Sequence, residues 1–352
     1  MLIFIRHSIA LRASPWVISV PLTKLRRYHL NPLQLLRFNL PHSALSKWIL
    51  KAVVQKAISF LPYKENINFF FQKYVTKGVE LNDTHFGYKL AAARDHIRYY
   101  DQYGSATADR STVLELGTGW YPIVPTMLFL AGFGQIVSVD IRSWMTRDRQ
   151  LLAINRMLNY YETGQLQAYL PQLREDRLMV LREICAANPE TLTAAVISAR
   201  IHLQPLVMDA TRLDFADDYF DFICSNNTFE HVYTPVLRGI LTEFKRVLKP
   251  DGVMSHFIDL SDHFAHLDPS IDIYHFLRYS RRQWQLIDNA IQPQNRLRWR
   301  DYVQLYRELD IPIRKEDFLA GDVAAVHAAE IDEEYAGYTA QELAISHGYI
   351  IS

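Results

Sequence analysis

Along this chain, apolar residues change from helical spacing to short consecutive runs near residue 110. From Asp83 to Tyr103 they recur every three or four positions, which predicts an amphipathic helix with Asp83 as its N-cap and Gly104 at its end. An earlier stretch, Ser43 to Phe60, has the same spacing with lysines interspersed. It predicts a basic amphipathic helix that either packs on the main domain, with its lysines in water, or lies on a membrane surface.

The short apolar runs that follow alternate with helical segments, and they predict strands. Such alternation is typical of an α/β fold, in which helices cover both faces of a parallel sheet. The pattern predicts five strands before the C-terminal region, at residues 112–116, 135–140, 203–208, 220–225 and 252–258.

Two stretches are longer than a simple strand–helix–strand repeat needs. Residues 143–202 have helical spacing, and residues 259–300 are rich in His, Asp, Arg and aromatic residues. Long insertions in a compact domain usually carry function, so we expect both to shape the substrate site. The predicted organisation is a basic helical N-terminal extension, residues 1–77, followed by one domain, residues 78–352, that contains the two insertions.

Composition narrows the class of protein. The 352 residues carry no formal net charge, which gives no support for nucleic-acid binding, although residues 1–77 are strongly basic. Two cysteines far apart form neither a disulfide framework nor a zinc site, so a reducing, cytoplasmic compartment is expected. We predict neither a signal peptide nor a spanning helix, since no apolar run approaches about 20 residues. A peripheral membrane contact through residues 1–77 stays open.

The strongest local signal is a glycine-rich turn after the first predicted strand. Gly117 and Gly119 allow the backbone to approach a ligand closely. A dinucleotide-binding turn usually has a third glycine, where this chain has Pro122. Glu115 would also repel a pyrophosphate, whereas it suits the ammonium group of an amino-acid tail. These residues argue against a nicotinamide-dependent oxidoreductase.

At this turn the sequence resembles the class I S-adenosylmethionine (SAM)-dependent methyltransferases, type 11. The family's first motif, acid-x-Gly-x-Gly, is matched by Glu115, Gly117 and Gly119. Its second marker is an acid at the end of the second strand, which accepts hydrogen bonds from the ribose hydroxyls. Asp140 has this position, and its alternative role is a helix N-cap.

Further markers follow in the family's order. Asp209, with Ala210, is similar to the position that contacts adenine. The segment 225–232 resembles the one beside the methyl group and the substrate, and Asn226 within it is a predicted cofactor contact. Residues 243–252 resemble the helix and turn before strand five.

The resemblance implies a doubly wound, mostly parallel seven-stranded sheet, with strand six over 311–318 and an antiparallel strand seven over 345–351. It implies an enzyme that uses SAM to methylate a hydroxyl or amine of a small molecule. Three alternatives remain: aminocarboxypropyl transfer or cyclisation from SAM, methylation of a lipid-linked or glycan acceptor at a membrane, and a scaffold without activity. The retained acids argue against the scaffold. The oligomeric state is not predicted.

A hydroxyl acceptor needs its proton removed, so histidines near strand ends are candidate bases. His231 and His263 are the predicted catalytic residues. His231 follows strand four, and the alternative is a purely structural role. The other histidines considered are His256, His266 and His275.

Two further interpretations concern the ligand. Some O-methyltransferases use a divalent ion, and Asn226, Asn227 and Asp259 stand at the corresponding strand ends, yet the spacing of the histidines and acids matches no strict metal motif. We therefore predict no metal. The arginines of the second insertion either bind an anionic acceptor or are solvated at the surface. These are Arg278, Arg281, Arg282, Arg296, Arg298 and Arg300.

Overall fold

The computed structural model describes residues 46–61 and 81–352. The predicted boundary at residue 77 and most of the predicted N-terminal extension lie outside these ranges. In the described part, seven strands form one sheet. They are β1 (Thr112–Leu116), β2 (Gln135–Asp140), β3 (Leu203–Val207), β4 (Phe220–Asn226), β5 (Leu248–Asp259), β6 (Lys315–Leu319) and β7 (His347–Ile351).

The sheet confirms the predicted fold class. Its order is β3-β2-β1-β4-β5-β7-β6, and only β7 runs antiparallel to its neighbours. All seven residues of β4 are buried, as expected for a central strand covered on both faces. The strand order reverses between β1 and β4, and the carboxyl ends of strands at such a point form the usual ligand crevice of an open α/β sheet.

Helices cover both faces of this sheet. The first insertion is helical, as its apolar spacing predicts, and contributes the fourth to sixth helices. The bounds are α1 (Lys47–Ser59), α2 (Asp83–Tyr103), α3 (Ile123–Ala131), α4 (Arg147–Glu162), α5 (Glu175–Ala186), α6 (Ala194–Arg200), α7 (Thr234–Val247), α8 (Arg281–Ile287), α9 (Trp299–Glu308), α10 (Val323–Ala328) and α11 (Ala340–Ala344).

Helix α2 has the predicted bounds, but the predicted N-cap is wrong. The Asn82 side chain accepts the hydrogen bond from the His85 amide, at 2.8 Å. Asp83 is instead the first residue of the helix, where its charge favours the positive end of the helix dipole. For the site, this means that α2 has a capped N-terminus and that its residues 85–89 lie beside the glycine turn.

Helix α1 packs on the second insertion, which agrees with the first of its two predicted roles. The Trp48 amide donates to the Asp268 carboxylate at 3.1 Å. Lys56 Nζ donates to the carbonyl oxygens of Gln285 and Asp288 at 2.9 and 2.6 Å. The prediction that its lysines lie in water is wrong for Lys56, because these carbonyls hold the ammonium group against the protein.

The outward side of α1 is apolar. Leu50, Val53 and Phe60 are 55%, 59% and 79% exposed. Among the helices of the described residues, none is both long and apolar enough to cross a bilayer.

Candidate functional site

A cleft of about 560 Å³ lies along the carboxyl ends of β1, β2 and β4, where the strand order reverses. It brings together most of the residues that the sequence predicts for the cofactor, and it also reaches one predicted catalytic histidine. Its lining includes Gly117, Gly119, Asp140, Asp209, Ala210 and His231.

The glycine turn is built from two residues with left-handed backbone conformations. Gly117 has φ +77°, and a Cβ there would lie 2.4 Å from the Thr228 hydroxyl oxygen. Thr228 donates in turn to the Leu116 carbonyl at 3.2 Å, which ties the turn to the segment after β4. Gly119 has φ +72°, but a Cβ there would meet no heavy atom nearer than 4.0 Å. It therefore leaves open space in the cleft.

Asp140 ends β2 beside this turn. Its Oδ1 accepts hydrogen bonds from the Arg142 amide at 3.3 Å and the Trp144 indole at 3.2 Å. The N-cap alternative is wrong, because Thr146 caps the next helix. The Trp144 ring stacks on Trp120 with centroids 5.2 Å apart, so two aromatic rings stand beside this carboxylate.

Glu115 lies behind the turn and is almost fully buried. The Thr118 hydroxyl donates to its carboxylate. Burial raises the pKa of Glu115 to about 7, although the Thr118 hydrogen bond and the nearby Lys89 ammonium group lower it in part. Glu115 is thus held ready to lose its proton near neutral pH.

Lys89 on α2 is a site residue that sequence reasoning missed. It lines a smaller cavity of about 160 Å³ together with Gly117, Gly119 and Asn226. Burial lowers the pKa of Lys89, while Glu115 and Glu230 oppose this shift. The sequence signal is a lysine directly before Leu90, at the border of the apolar stripe of α2. The sequence does not show which part of the fold this helix packs against.

Asp209 and Ala210 line the opposite end of the cleft, after β3. The Thr211 amide and hydroxyl donate to Asp209 Oδ1 at 2.9 and 2.8 Å, and these bonds lower the pKa of Asp209. The carboxylate is therefore ionised and fixed in direction by its own turn.

At the end of β4 and shortly after it, two buried side chains have oxygen atoms without a hydrogen-bond partner in the described residues. Asn226 donates to Asn227 at 2.8 Å, but its Oδ1 has no hydrogen-bond partner in the described chain. Neither carboxylate oxygen of Glu230 has one within the same residues. Burial and the neighbouring Asp259 carboxylate raise the pKa of Glu230 well above its usual range. Buried polar atoms without hydrogen-bond partners are uncommon in a folded core, and they indicate a ligand-binding function.

His231 reaches the cleft in one defined tautomer. Its Nδ1 lies 2.7 Å from the Pro293 carbonyl oxygen, which can only accept, so Nδ1 carries the proton and Nε2 keeps its lone pair. Burial, and secondarily the nearby His263, lowers the pKa of His231 to about 4. His231 is therefore neutral and a weak proton acceptor at physiological pH.

The fold brings the two predicted catalytic histidines together. The rings of His231 and His263 are 4.9 Å apart in an edge-on arrangement. Asp259 Oδ2 lies 3.6 Å from His263 Nε2 and 3.9 Å from His266 Nε2. Asp259 thus lies within ion-pair distance of both histidines of the second insertion.

Two of the histidines considered from the sequence lie elsewhere. His256 is fully buried, bonded to the Ser225 hydroxyl at 2.7 Å and stacked on Phe229. His275 is paired with the buried Asp262 at 3.3 Å. Both contribute to packing, because central strand β5 and the insertion core bury them.

Two arginines of the second insertion, Arg296 and Arg298, bind backbone carbonyls, which removes these two from the anionic-acceptor interpretation. Arg298 is fully buried and donates to the carbonyls of Leu260, Leu343 and Ile345 at 2.6–2.8 Å. Arg296 donates to the Phe276 carbonyl at 3.0 Å. The solvated alternative is also wrong for both, because backbone carbonyls satisfy the guanidinium groups. The others with described carboxylate partners are Arg278, Arg281 and Arg300.

Comparison with known families supports the resemblance seen in the sequence. The family model described as a methyltransferase domain matches residues 163–255. This range includes Asp209, Ala210, Asn226 and His231, but not the glycine turn or Asp140. The match confirms the predicted relation to the SAM-dependent methyltransferases, and with it the enzyme class. Comparison with curated proteins found no match to this chain.

Solved structures similar to this chain have low identity. A 1,6-didemethyltoxoflavin-N1-methyltransferase from Burkholderia thailandensis has 10% identity, with 89% of this chain and 92% of that chain covered and a TM-score of 0.42. A geranyl diphosphate methyltransferase has 11% identity, 77% and 90% coverage and a TM-score of 0.38. A Pyrococcus horikoshii OT3 protein has 18% identity and a TM-score of 0.32, and the match covers 54% of this chain and only 65% of that one.

Proposed function

We propose that this chain, a SAM-dependent methyltransferase by the domain match over residues 163–255, methylates an oxygen or nitrogen atom of a small molecule held at the His231 end of the cleft. The observation that carries the proposal is the continuity of one cleft from Asp209 and Asp140, past the glycine turn, to His231. A cofactor and an acceptor fit end to end in such a cleft.

The residues present fit SAM. Gly119 leaves a space that a Cβ would occupy, and the Asn226 oxygen lacks a partner in the described chain. We assign Asp140 to the ribose hydroxyls and Asp209 with Ala210 to the adenine. Glu115 would favour the ammonium group of the amino-acid tail.

Lys89 extends this assignment. It lies within electrostatic range of Glu115 and lines the cavity beside the glycine turn. An ammonium group opposite a carboxylate matches the zwitterionic end of an amino acid, whose own carboxylate would face Lys89. The pair Glu115 and Lys89 therefore forms a candidate recognition site for the methionine tail.

When bound, SAM supplies a methyl group that is activated by its sulfonium. The protein has to orient the acceptor, exclude water and remove a proton where the acceptor is a hydroxyl. With a pKa of about 4, His231 is poorly suited to accept that proton and better suited to hold an acceptor hydrogen bond through Nε2. We assign the proton-accepting role to His263, which Asp259 orients.

The test is calorimetric titration of the full chain with SAM and S-adenosylhomocysteine, with NADH as a negative control. We expect micromolar binding of both adenosyl compounds, lost in Asp140→Ala because the ribose contact is removed. The matched control is Asp214→Asn, which changes an exposed acid in the loop after β3 and should bind SAM normally. Binding of NADH instead of SAM would contradict the proposal.

The apolar outer side of α1 supports a second candidate, an acceptor presented at a membrane surface. Leu50 and Val53 on this helix, and Phe60 directly after its last residue, are exposed. Flotation of the full chain with liposomes containing anionic lipid should be lost in the double variant Val53→Asp/Phe60→Asp. Leu286→Asp, which alters an equally exposed leucine on α8, is the control. Equal flotation of all three proteins would contradict a specific contact through α1.

A further inference from the structure

Three residues that are far apart in the sequence bring potential metal ligands together at the His231 end of the cleft. One carboxylate oxygen of Glu230 and one ring nitrogen each of His231 and His263 lie within 4.8 Å of one another. Asp259, His263 and His266 form a second such group that shares His263. The sequence spacing predicts no metal here, because His263 joins only through the fold.

The state of Glu230 points independently to a bound cation. The residue is 2% exposed, and neither of its side-chain oxygens has a partner in hydrogen-bond geometry within residues 46–61 and 81–352, although the Asn227 side chain lies close enough to lower its pKa in part. A buried carboxylate without partners is costly, and the nearby Asp259 carboxylate adds repulsion. Lys89 supplies one opposing charge to Glu230, and it shares that charge with Glu115. A divalent cation would satisfy both Glu230 and the remaining negative charge.

The histidines are also prepared for coordination. The Pro293 carbonyl fixes His231 Nδ1 as a donor, which leaves Nε2 as an unprotonated ligand atom. Asp259 lies beside His263 at 3.6 Å. A metal-binding histidine usually donates the hydrogen of its other ring nitrogen to a carbonyl or carboxylate, which fixes the orientation of the imidazole.

We propose that Glu230, His231 and His263 bind one divalent transition-metal ion, with Asp259 orienting His263. Two imidazoles and one carboxylate suit Zn²⁺ or Fe²⁺. Bonds of about 2.0–2.2 Å would draw the three ligand atoms together from their present separations. Three protein ligands leave coordination positions open, as in catalytic rather than structural sites.

His231 lines the cleft, so an open coordination position on the bound ion would face the acceptor. Such a position would select an acceptor that has an oxygen atom able to coordinate the ion. This step rests on the proposed function, since it requires the acceptor to occupy the same end of the cleft, and in the metal-bound protein the ion would contact the acceptor oxygen in place of the nitrogens of His231 and His263. It narrows the substrate class from any small hydroxyl or amine to a metal-coordinating oxygen compound.

The experiment titrates the chelator-treated full chain with Co²⁺, read from its visible absorption, and counts bound Zn²⁺ after dialysis. We expect one equivalent of either ion. Glu230→Gln and His231→Ala should each lower Co²⁺ affinity by more than about 100-fold, because each removes a ligand. Asp259→Asn should lower it by about 10–100-fold, the usual effect of an orienting group. His266→Ala, whose side chain is 63% exposed, should bind Co²⁺ as wild type does.

Each variant is also titrated with S-adenosylhomocysteine and unfolded thermally with and without Co²⁺. Normal cofactor binding shows that a variant is folded, and the metal should raise the melting temperature of the wild type and of His266→Ala but not that of Glu230→Gln or His231→Ala. No Co²⁺ binding by the wild type, or equal binding by Glu230→Gln and His231→Ala, would overturn the proposal. Loss of binding in His266→Ala but not Glu230→Gln would overturn the assigned ligands. If the wild type binds metal but no SAM, the proposed function fails and the metal site stands.

Discussion

The two ends of the cleft are built in different ways. On the cofactor side, at the ends of β1, β2 and β3, polar groups bond to near neighbours in sequence: Thr118 to Glu115, three residues apart, and the Arg142 amide to Asp140, two apart. On the acceptor side, after β4 and β5, His231 bonds to Pro293, 62 residues away. A site whose contacts are local is visible as a motif, whereas one held by distant contacts appears only in the fold.

The largest effect should come from removing the residue that holds the acceptor side together. Arg298 is buried and donates to three carbonyls 38 to 47 residues away in sequence. Arg298→Ala leaves those acceptors unsatisfied and opens a cavity, so we expect the free energy of unfolding to fall by about 3–5 kcal/mol. Urea unfolding followed by circular dichroism measures this loss.

The matched control is Arg278→Ala. Its half-exposed pair with Asp272 should contribute less than about 1 kcal/mol. If Arg298→Ala instead kept full stability and only weakened acceptor binding, Arg298 would be a substrate residue. The structural difference between the two ends would then lose its main support.

On the cofactor side, the expected effect is a pH dependence. Burial keeps Glu115 protonated in the folded protein up to about pH 7, whereas its ordinary pKa is 4.5. The unfolded chain loses this proton first, so stability falls as pH rises from about 4.5 to 7, by about 3 kcal/mol from this group. Glu115→Gln should remove that part of the slope, while the exposed Glu190→Gln should not.

Cofactor binding should show the opposite sign. An ammonium group beside Glu115 favours the ionised form, so SAM affinity should rise as pH increases from 6 to 8 in the wild type and stay level in Glu115→Gln. Calorimetry at several pH values measures both. A level wild-type profile would show that the ammonium group does not face Glu115.

The difference between the two ends of the cleft explains how much of the site can be predicted from the sequence alone. The bounds of β1 and β2 were predicted because hydrophobic runs determine them, and the acids of the cofactor side were predicted from the resemblance to the family, whose motifs are local in sequence. Lys89 and the pairing of His231 with His263 were not, because they depend on how α2 and the second insertion pack on the sheet. The roles of Arg296 and Arg298 were also missed, since an arginine sequence pattern does not distinguish solvent from buried carbonyls.

The two glycines of the turn separate stability from ligand access within the cofactor side. Both glycines have left-handed backbone conformations, so replacing either with alanine should lower the free energy of unfolding by about 1–2 kcal/mol. Gly117→Ala should cost more than this, because its Cβ would press on Thr228, which connects the two sides. Gly119→Ala should lower the free energy of unfolding by no more than this. It should nevertheless weaken SAM binding, because the methyl group of the alanine would enter the cleft. Unchanged SAM affinity in Gly119→Ala would mean that the ligand does not approach there.

The smallest effect tests whether the two sides act as one electrostatic unit. Lys89 faces Glu115 on the cofactor side and Glu230 on the acceptor side. Its positive charge lowers the pKa of Glu115 in part, so Lys89→Met should move the upper end of the Glu115 stability slope to a pH above 7. Lys47→Met, an exposed lysine on α1, is the control. A shift of less than one pH unit is expected, because burial remains the main cause of the raised pKa. An unchanged profile would mean that Lys89 does not act on Glu115, whereas a shift would show that the lysine that also interacts with Glu230 helps to set the pKa of Glu115.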